Sequence, residues 1–221
     1  MIPNSSTRTL LILSCAFNPP PLTGYGSKRF LGDERVQQYV NGFQTFFSDN
    51  TLASNFDVLI TDNTVASVDE IDRRIVSSFP PNSKAIFIGN NEIGKLNNGA
   101  GLIFTWTKLS DVIKDYDWVV HHEPRQKMRH MNFIKSFLSN PRNLMTINKD
   151  HGKHFNTGLF CIRSSILLDY CQSTDLVQMV QRSISIEDHL YDYFINQKIN
   201  FDVEKEMGLT WYPYGENPKD Y

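Results

Sequence analysis

The chain has 221 residues, of which 40% are hydrophobic, 12% aromatic and 21% charged. This balance is typical of a folded globular protein and excludes a disordered or low-complexity chain. Lys and Arg number 22 against 24 Asp and Glu, so the basic excess expected of a nucleic-acid-binding protein is missing. The longest apolar run, 10–17, is too short to cross a membrane, and the first residues do not resemble a signal peptide. We therefore expect a cytoplasmic protein with reduced, buried thiols at Cys15, Cys161 and Cys171.

Strand-like and helix-like patterns alternate along the first half of the chain. Continuous apolar runs predict buried strands at 9–17, 56–60, 85–88 and 118–120. Apolar residues at helical spacing predict helices at 36–47, 69–78 and 102–113. This alternation is typical of α/β folds with a mostly parallel sheet, in which ligands bind at the carboxyl ends of the strands.

The second half is less regular. The same criteria predict helices at 133–138, 164–171, 174–182 and 187–197. They predict strands at 144–147, 158–162 and 199–203. Because the chain has no internal repeat and no linker-like stretch, we predict a single domain over 1–221. The residues before Tyr221 do not form a clear final helix or strand, which is compatible with a further domain.

Polar residues follow three of the predicted strands, at 14–18, at Asp62-Asn63 and at 121–123. Each group alone is typical of an ordinary turn. Because the carboxyl ends of parallel strands meet at one edge of a sheet, the three groups together predict a ligand-binding crevice there.

Two glycine-containing segments have candidate phosphate-binding patterns. Gly89 to Leu96 has the spacing of a P-loop, but Leu96 replaces the Ser or Thr that holds magnesium. We also expect 97–99 to prevent a helix from beginning there, which disfavours an ATPase or GTPase. Asn97 to Gly101, ahead of a predicted helix, is either a close approach to an anionic ligand or a plain turn.

Two acidic segments, one at Glu123 and one at Glu187-Asp188, are candidates for metal binding or catalysis. Glu123 is followed by Arg125 and Lys127, so a carboxylate able to hold a divalent ion adjoins bases able to neutralise a diphosphate. A solvated basic turn is the alternative for this segment. Glu187 and Asp188 open a predicted helix, where acids commonly offset the helix dipole. We expect Asp188 to face the crevice as a base and Glu187 to cap the helix or face outward.

Taken in order, these segments resemble GT-A glycosyltransferases over about residues 9–205. The stretch 98–102 before a helix is similar to the family's approach to its D-x-D metal motif, 155–163 resembles its F-N-[ST]-G strand, and 186–188 resembles its acidic x-E-D segment. The chain is also similar to a glycosyltransferase domain of large algal (chlorella) viruses.

The resemblance implies a GT-A-like α/β fold with a mostly parallel sheet and a mixed C-terminal half. It implies a nucleotide-sugar-binding half at 1–125 and an acceptor half at 126–221. The implied activity is transfer of a sugar from a nucleotide sugar, chiefly a UDP-sugar, to a glycan or other hydroxyl acceptor. The implied catalytic residues are Asp188 and Glu187, and we expect Asp62 and the backbone near Ala16 to read uracil. The implied donor-binding residues are Ala16, Phe17, Asn18, Asp62, Asn98, Gly99, Arg125, Lys127, Asn156, Thr157 and Gly158.

The D-x-D position departs from the family pattern and reads Glu123-Pro124-Arg125. The resemblance implies a Mn²⁺ or Mg²⁺ ion at Glu123, or else Arg125 and Lys127 in its place against the phosphates. Two other functions stay open: a nucleotidyltransferase that makes sugar nucleotides, and a non-catalytic module that binds sugar nucleotides or glycans.

Overall fold

A computed structural model describes residues 7–19, 32–49, 54–89, 92–147, 154–211 and 219–220. Its strands are β1 Thr9–Cys15, β2 Asp57–Asp62, β3 Lys84–Phe87, β4 Trp118–His122, β5 Lys127–Met128, β6 Leu144–Thr146, β7 Leu159–Arg163, β8 Asp202–Glu204, β9 Leu209–Trp211 and β10 Lys219–Asp220. Its helices are α1 Gly32–Phe46, α2 Arg73–Val76, α3 Glu92–Leu96, α4 Asn98–Lys108, α5 Ser110–Ile113, α6 Asn132–Ser139, α7 Ser164–Ser173, α8 Leu176–Gln181 and α9 Ile186–Asn196, and Val68–Glu70 forms a 3₁₀ turn.

Seven strands form a central sheet in the order β3-β2-β1-β4-β7-β6-β8. Strands β1 to β4 are parallel, β7 runs antiparallel to both of its neighbours, and β6 pairs in parallel with β8. The prediction of a mostly parallel central sheet flanked by helices is therefore confirmed. A smaller sheet of order β10-β9-β5 was not predicted.

Hydrophobic clusters cover both faces of the central sheet. Leu11 and Leu13 of β1 face one cluster, while Leu10 and Ile12 face the other. This two-sided burial explains why β1 is continuously apolar rather than alternating. Helices α1 and α6 contribute to the first cluster, and α4, α7 and α9 contribute to the second.

Side-chain caps move several helix boundaries from their predicted places. The carboxylate of Asp72 accepts a hydrogen bond from Arg74 N, so α2 begins there and the predicted helix 69–78 is divided. Asn97 caps α4 in the same way by accepting from Ala100 N at 3.0 Å. Helix α4 therefore begins at Asn98, and the expectation that 97–99 prevents a helix was wrong.

The three cysteines are free and buried, as predicted. Within the described ranges, no helix is both long and apolar enough to cross a membrane.

The sheet topology places the predicted crevice at one edge. Strands β1, β2 and β4 end at this edge because they are parallel. Strand β7 begins at the same edge because it runs antiparallel to β4. The segment that leads into β7 therefore meets the segments that leave β1 and β4.

Helix α1 lies against the turn that follows β4, and Gly42 makes this approach possible. A Cβ atom at Gly42 would lie 1.5 Å from the carbonyl oxygen of Pro124. Both residues are buried. The turn 123–126 is therefore fixed by the backbone of α1.

We expect Gly42→Ala to lower the free energy of unfolding by about 1–3 kcal/mol, because the added methyl group has no space. Helix propensity alone would raise the stability by about 0.5–1 kcal/mol, so the sign of the change is decisive. Urea denaturation measures it, with Gln44→Ala at an exposed position of the same helix as the control. A variant as stable as the unmodified protein would contradict this packing.

Candidate active site

Asp62 joins the ends of β1 and β2. Its carboxylate is completely buried and accepts hydrogen bonds from Phe17 N at 2.6 Å, Thr64 Oγ1 at 2.7 Å, Val65 N at 3.0 Å and also Thr64 N. Burial raises the pKa of Asp62, and these hydrogen bonds oppose that rise. The carboxylate holds both loops in place, and its predicted contact with uracil stays a prediction.

Two residues of α1 fix the backbone that follows β1, and sequence reasoning missed both. Tyr39 Oη accepts a hydrogen bond from Ala16 N at 2.8 Å, and Arg35 Nε donates to Ala16 O at 2.7 Å. Arg35 is only 7% exposed. The sequence offered one indication of this pair: Arg35 and Tyr39 are four residues apart, so in a helix they lie on the same face. The neighbouring Asn18 is exposed and donates from its backbone to Thr64 Oγ1 at 3.0 Å.

Two buried histidines at the end of β4 hold the segment that leads into β7. His121 Nδ1 lies 3.0 Å from Thr157 O, and His122 Nδ1 lies 3.2 Å from Gly158 O. Burial lowers the pKa of His121 to about 4 and the pKa of His122 to about 3. Both rings are therefore neutral near pH 7, and a carbonyl acceptor requires that Nδ1 carries the proton.

Glu123 continues this connection and pairs with Arg125. Its backbone N donates to Gly158 O at 2.9 Å. Its carboxylate oxygen Oε2 accepts from Arg125 Nη2 at 2.8 Å and from Gln126 Nε2 at 3.3 Å. Burial acts to raise the pKa of Glu123, but the charge and hydrogen bond of Arg125 outweigh it and leave the pKa lowered. Glu123 is therefore an ionised, paired carboxylate.

Glu187, in the first turn of α9, points toward the segment before β7. Its Oε1 accepts a hydrogen bond from Thr157 Oγ1 at 2.9 Å. Burial raises the pKa of Glu187, and the charge of Glu123 adds to this rise. Thr157 contacts Glu187 and the next residue, Gly158, accepts from Glu123 N, so both glutamates lie at the segment that leads into β7.

The orientations expected for Glu187 and Asp188 were wrong. Ser185 is the residue directly before α9, and its hydrogen bonds to Asp188 determine which way the two acidic side chains point. Ser185 Oγ accepts from Asp188 N at 3.1 Å and donates to Asp188 Oδ2 at 2.7 Å. The other oxygen of Asp188 lies 2.9 Å from His154 Nδ1, and the side chain is 51% exposed. Ser185 therefore caps the helix and holds the exposed Asp188, while Glu187 faces Thr157, and whether either acid is catalytic stays a prediction.

The segment around Asn98 and Gly99 packs against another part of the chain. A Cβ atom at Gly99 would lie 2.8 Å from Ile186 Cβ, so this glycine allows α4 to approach the start of α9. Asn97 Nδ2 reinforces the contact by donating to Ile184 O at 2.9 Å. Asn98 itself is exposed. This packing accounts for the glycine, and donor binding by the pair stays a prediction.

The predicted donor residues Lys127, Asn156 and Gly158 differ in their exposure. Lys127 is exposed in β5, which pairs with β9. Asn156 is half-buried and donates from its backbone to Thr146 O at 2.7 Å. Gly158 is buried, and the amide of Gln126 covers it so closely that a Cβ atom would lie 2.5 Å from Nε2.

The residues near Glu123 do not fit a divalent cation. Within the part of the chain that the structure describes, no three His, Cys, Asp or Glu side chains form a group able to hold a metal ion. Glu123 is already bonded to the guanidinium of Arg125, whose charge would repel a divalent ion. Where the resemblance implies a Mn²⁺ or Mg²⁺ ion, the described residues therefore place one carboxylate that is already paired with an arginine.

Neither a protein-family model nor a curated protein sequence matches the chain. The chain is similar to the crystal structure of a protein from Desulfovibrio desulfuricans G20 that is provisionally described as a nucleotide-diphospho-sugar transferase. That match has a TM-score of 0.56 and 11% identity, and it covers 90% of this chain and 80% of the other. Mouse xyloside xylosyltransferase 1 gives a TM-score of 0.47 at 9% identity, over 90% of this chain and 84% of that one.

The sheet order and the first of these matches define the fold as GT-A-like. At 11% identity the likeness concerns the fold alone.

The buried histidines generate a prediction about pH. Their folded-state pKa values of about 4 and about 3 lie below the value of about 6.5 in an unfolded chain. Between these values the unfolded chain binds more protons, so stability falls as the pH falls. We expect a loss of roughly 1–2 kcal/mol per histidine between about pH 7 and about pH 5.

Chemical denaturation at the two pH values measures this loss. The matched variant is the double substitution His121→Asn and His122→Asn, whose side-chain amides are able to donate to the same carbonyl groups but do not titrate. We expect it to lose most of the pH dependence. An unchanged dependence in this variant would show that the histidines are not its source.

Proposed function

We propose that the chain transfers a sugar from a nucleotide-sugar donor, chiefly a UDP-sugar, to a hydroxyl group of a glycan or another acceptor. One observation carries the proposal: at a single edge of a GT-A-like sheet, the Glu123–Arg125 pair adjoins the Thr157–Glu187 pair. Sugar transfer needs positive charge near the leaving diphosphate and a base near the acceptor hydroxyl. Arg125 suits the first role, and Glu187, whose pKa is raised, suits the second.

The donor half of this proposal comprises the loops after β1, β2 and β4. The nucleotide lies along 16–18, on backbone that the buried Asp62 holds in place, and its diphosphate faces Arg125. Breaking the sugar–phosphate bond concentrates negative charge on the leaving diphosphate. A guanidinium held in a fixed position stabilises that charge, and its planar donors match the geometry of phosphate oxygens.

The acceptor half centres on Glu187. Burial raises the pKa of Glu187, so this carboxylate takes a proton more readily than an ordinary glutamate, which suits a general base. Glu187 orients or deprotonates the acceptor hydroxyl while Thr157 holds its other side. Asn156 and Gly158 line the approach between donor and acceptor in this proposal.

The resemblance also implies a Mn²⁺ or Mg²⁺ ion at Glu123, which would supply positive charge to the diphosphate. We assign no step to such an ion, because the described residues do not fit it. From the sequence motifs alone, we extend the proposal to cytoplasmic glycan biosynthesis of the kind expected of an algal-virus enzyme, with 1–125 as the donor half and 126–221 as the acceptor half of one domain.

Paired variants of the two neighbouring acids test the catalytic assignment. We expect Glu187→Gln to reduce turnover by about 10²–10⁴-fold, because it removes the base and keeps an acceptor for Thr157 Oγ1. Asp188→Asn is the matched control, since it makes the same change one residue along the helix, at an exposed position. We expect it to leave turnover nearly unchanged and to lower stability by about 0.3–1 kcal/mol through the helix dipole.

The assay is release of the nucleoside diphosphate from a panel of nucleotide sugars, with and without glycan acceptors. Release that falls in Asp188→Asn but not in Glu187→Gln would contradict the assignment of Glu187. Release of pyrophosphate from a nucleoside triphosphate and a sugar phosphate would identify a nucleotidyltransferase. Binding of nucleotide sugars without any release would identify a non-catalytic module.

A further inference from the structure

The segment Glu123-Pro124-Arg125 forms an internally paired turn directly after β4. Arg125 Nη2 and Gln126 Nε2 both donate to the same oxygen of Glu123, and Gln126 N donates to Glu123 O at 3.0 Å. The turn therefore closes on itself through side-chain and backbone contacts.

Packing on both sides holds this turn in position. The carbonyl of Pro124 lies against Gly42 of α1, where even one added carbon atom would clash. On the other side, the side-chain amide of Gln126, which is buried, lies against Gly158. Proline also restricts the backbone at the centre of the turn. The backbone of the turn therefore has little room to move toward α1.

The exposure of the pair suits a bound anion. The Arg125 side chain is 34% exposed and the Glu123 side chain 21% exposed, so the cation is the more accessible member. An arginine side chain has five N–H donors, and those not directed at Glu123 are able to contact a ligand. Two parallel N–H groups match two oxygens of a phosphate.

The same arrangement is unsuitable for a divalent cation. Such an ion prefers several oxygen ligands, whereas the accessible group here is a permanent positive charge. Glu187, the other acid of the site, already accepts a hydrogen bond from Thr157.

We propose that this site binds the diphosphate of its donor without a divalent cation, and that Arg125 supplies the positive charge instead. This inference rests on the proposed function and deepens it, because it states that the donor diphosphate is bound without a metal ion.

Titration calorimetry with UDP, GDP, ADP and CDP tests the inference, in EDTA and in excess MnCl₂. We expect the unmodified protein to bind one of these nucleotides with the same affinity, within about twofold, in both solutions. Arg125→Ala should weaken that binding by about 10–100-fold in both solutions, because a charge-assisted contact is lost.

Arg125→Asp supplies a second acid two residues after Glu123, and we expect its nucleotide binding to become dependent on Mn²⁺. Lys84→Asp makes the same charge change at the start of β3, at the opposite end of the sheet, and should leave binding unchanged. Melting temperatures confirm that each variant is folded, and Arg125→Ala remains informative if Arg125→Asp does not fold.

The outcomes separate this inference from the function on which it rests. Binding by the unmodified protein only when Mn²⁺ is present would overturn the metal-independent site and leave the proposed function intact. Equal affinity of Arg125→Ala and the unmodified protein would overturn the role of Arg125. Failure to bind any of the four nucleotides in either solution would overturn the proposed function and this inference together.

Discussion

The candidate site depends on the way β4 holds the residues that precede β7. His121, His122 and Glu123 are consecutive, and together they engage the carbonyl groups of Thr157 and Gly158. These bonds extend the antiparallel pairing of β4 and β7 beyond the last strand residues. Since Arg125 follows β4 and Thr157 precedes β7, the bonds bring the two halves of the site together. Neutral, buried imidazoles suit this role because they donate to a carbonyl without placing a charge in the core.

The two glutamates of the site have opposite environments. Glu123 is paired with Arg125, which keeps its pKa low, whereas the pKa of Glu187 rises through burial and through the charge of Glu123. Pairs of carboxylates with separated pKa values commonly divide the functions of charge stabilisation and proton transfer. This difference supports our proposal that Arg125 faces the diphosphate and Glu187 the acceptor.

Much of the fold could be predicted because its signals are local. The continuous apolar run of β1 and the helical spacing in α1 identified their elements directly. Strands β5, β9 and β10 were missed because they contain two or three residues each and form only through pairing with distant segments. The glycine pattern at 97–101 indicated a ligand loop, but the contact of Gly99 with Ile186 depends on tertiary packing. The capping role of Ser185 was available in the sequence, because a serine just before a predicted helix is a typical N-cap.

A crystal structure of the protein with a bound nucleoside diphosphate would show whether Arg125 faces the phosphates. We expect the nucleotide to lie at the carboxyl ends of β1 and β4, with phosphate oxygens within hydrogen-bonding distance of the Arg125 guanidinium. We also expect the His121 and His122 contacts to Thr157 and Gly158 to be unchanged. A nucleotide bound at another surface, or an Arg125 side chain directed away from the phosphates, would contradict the proposed site.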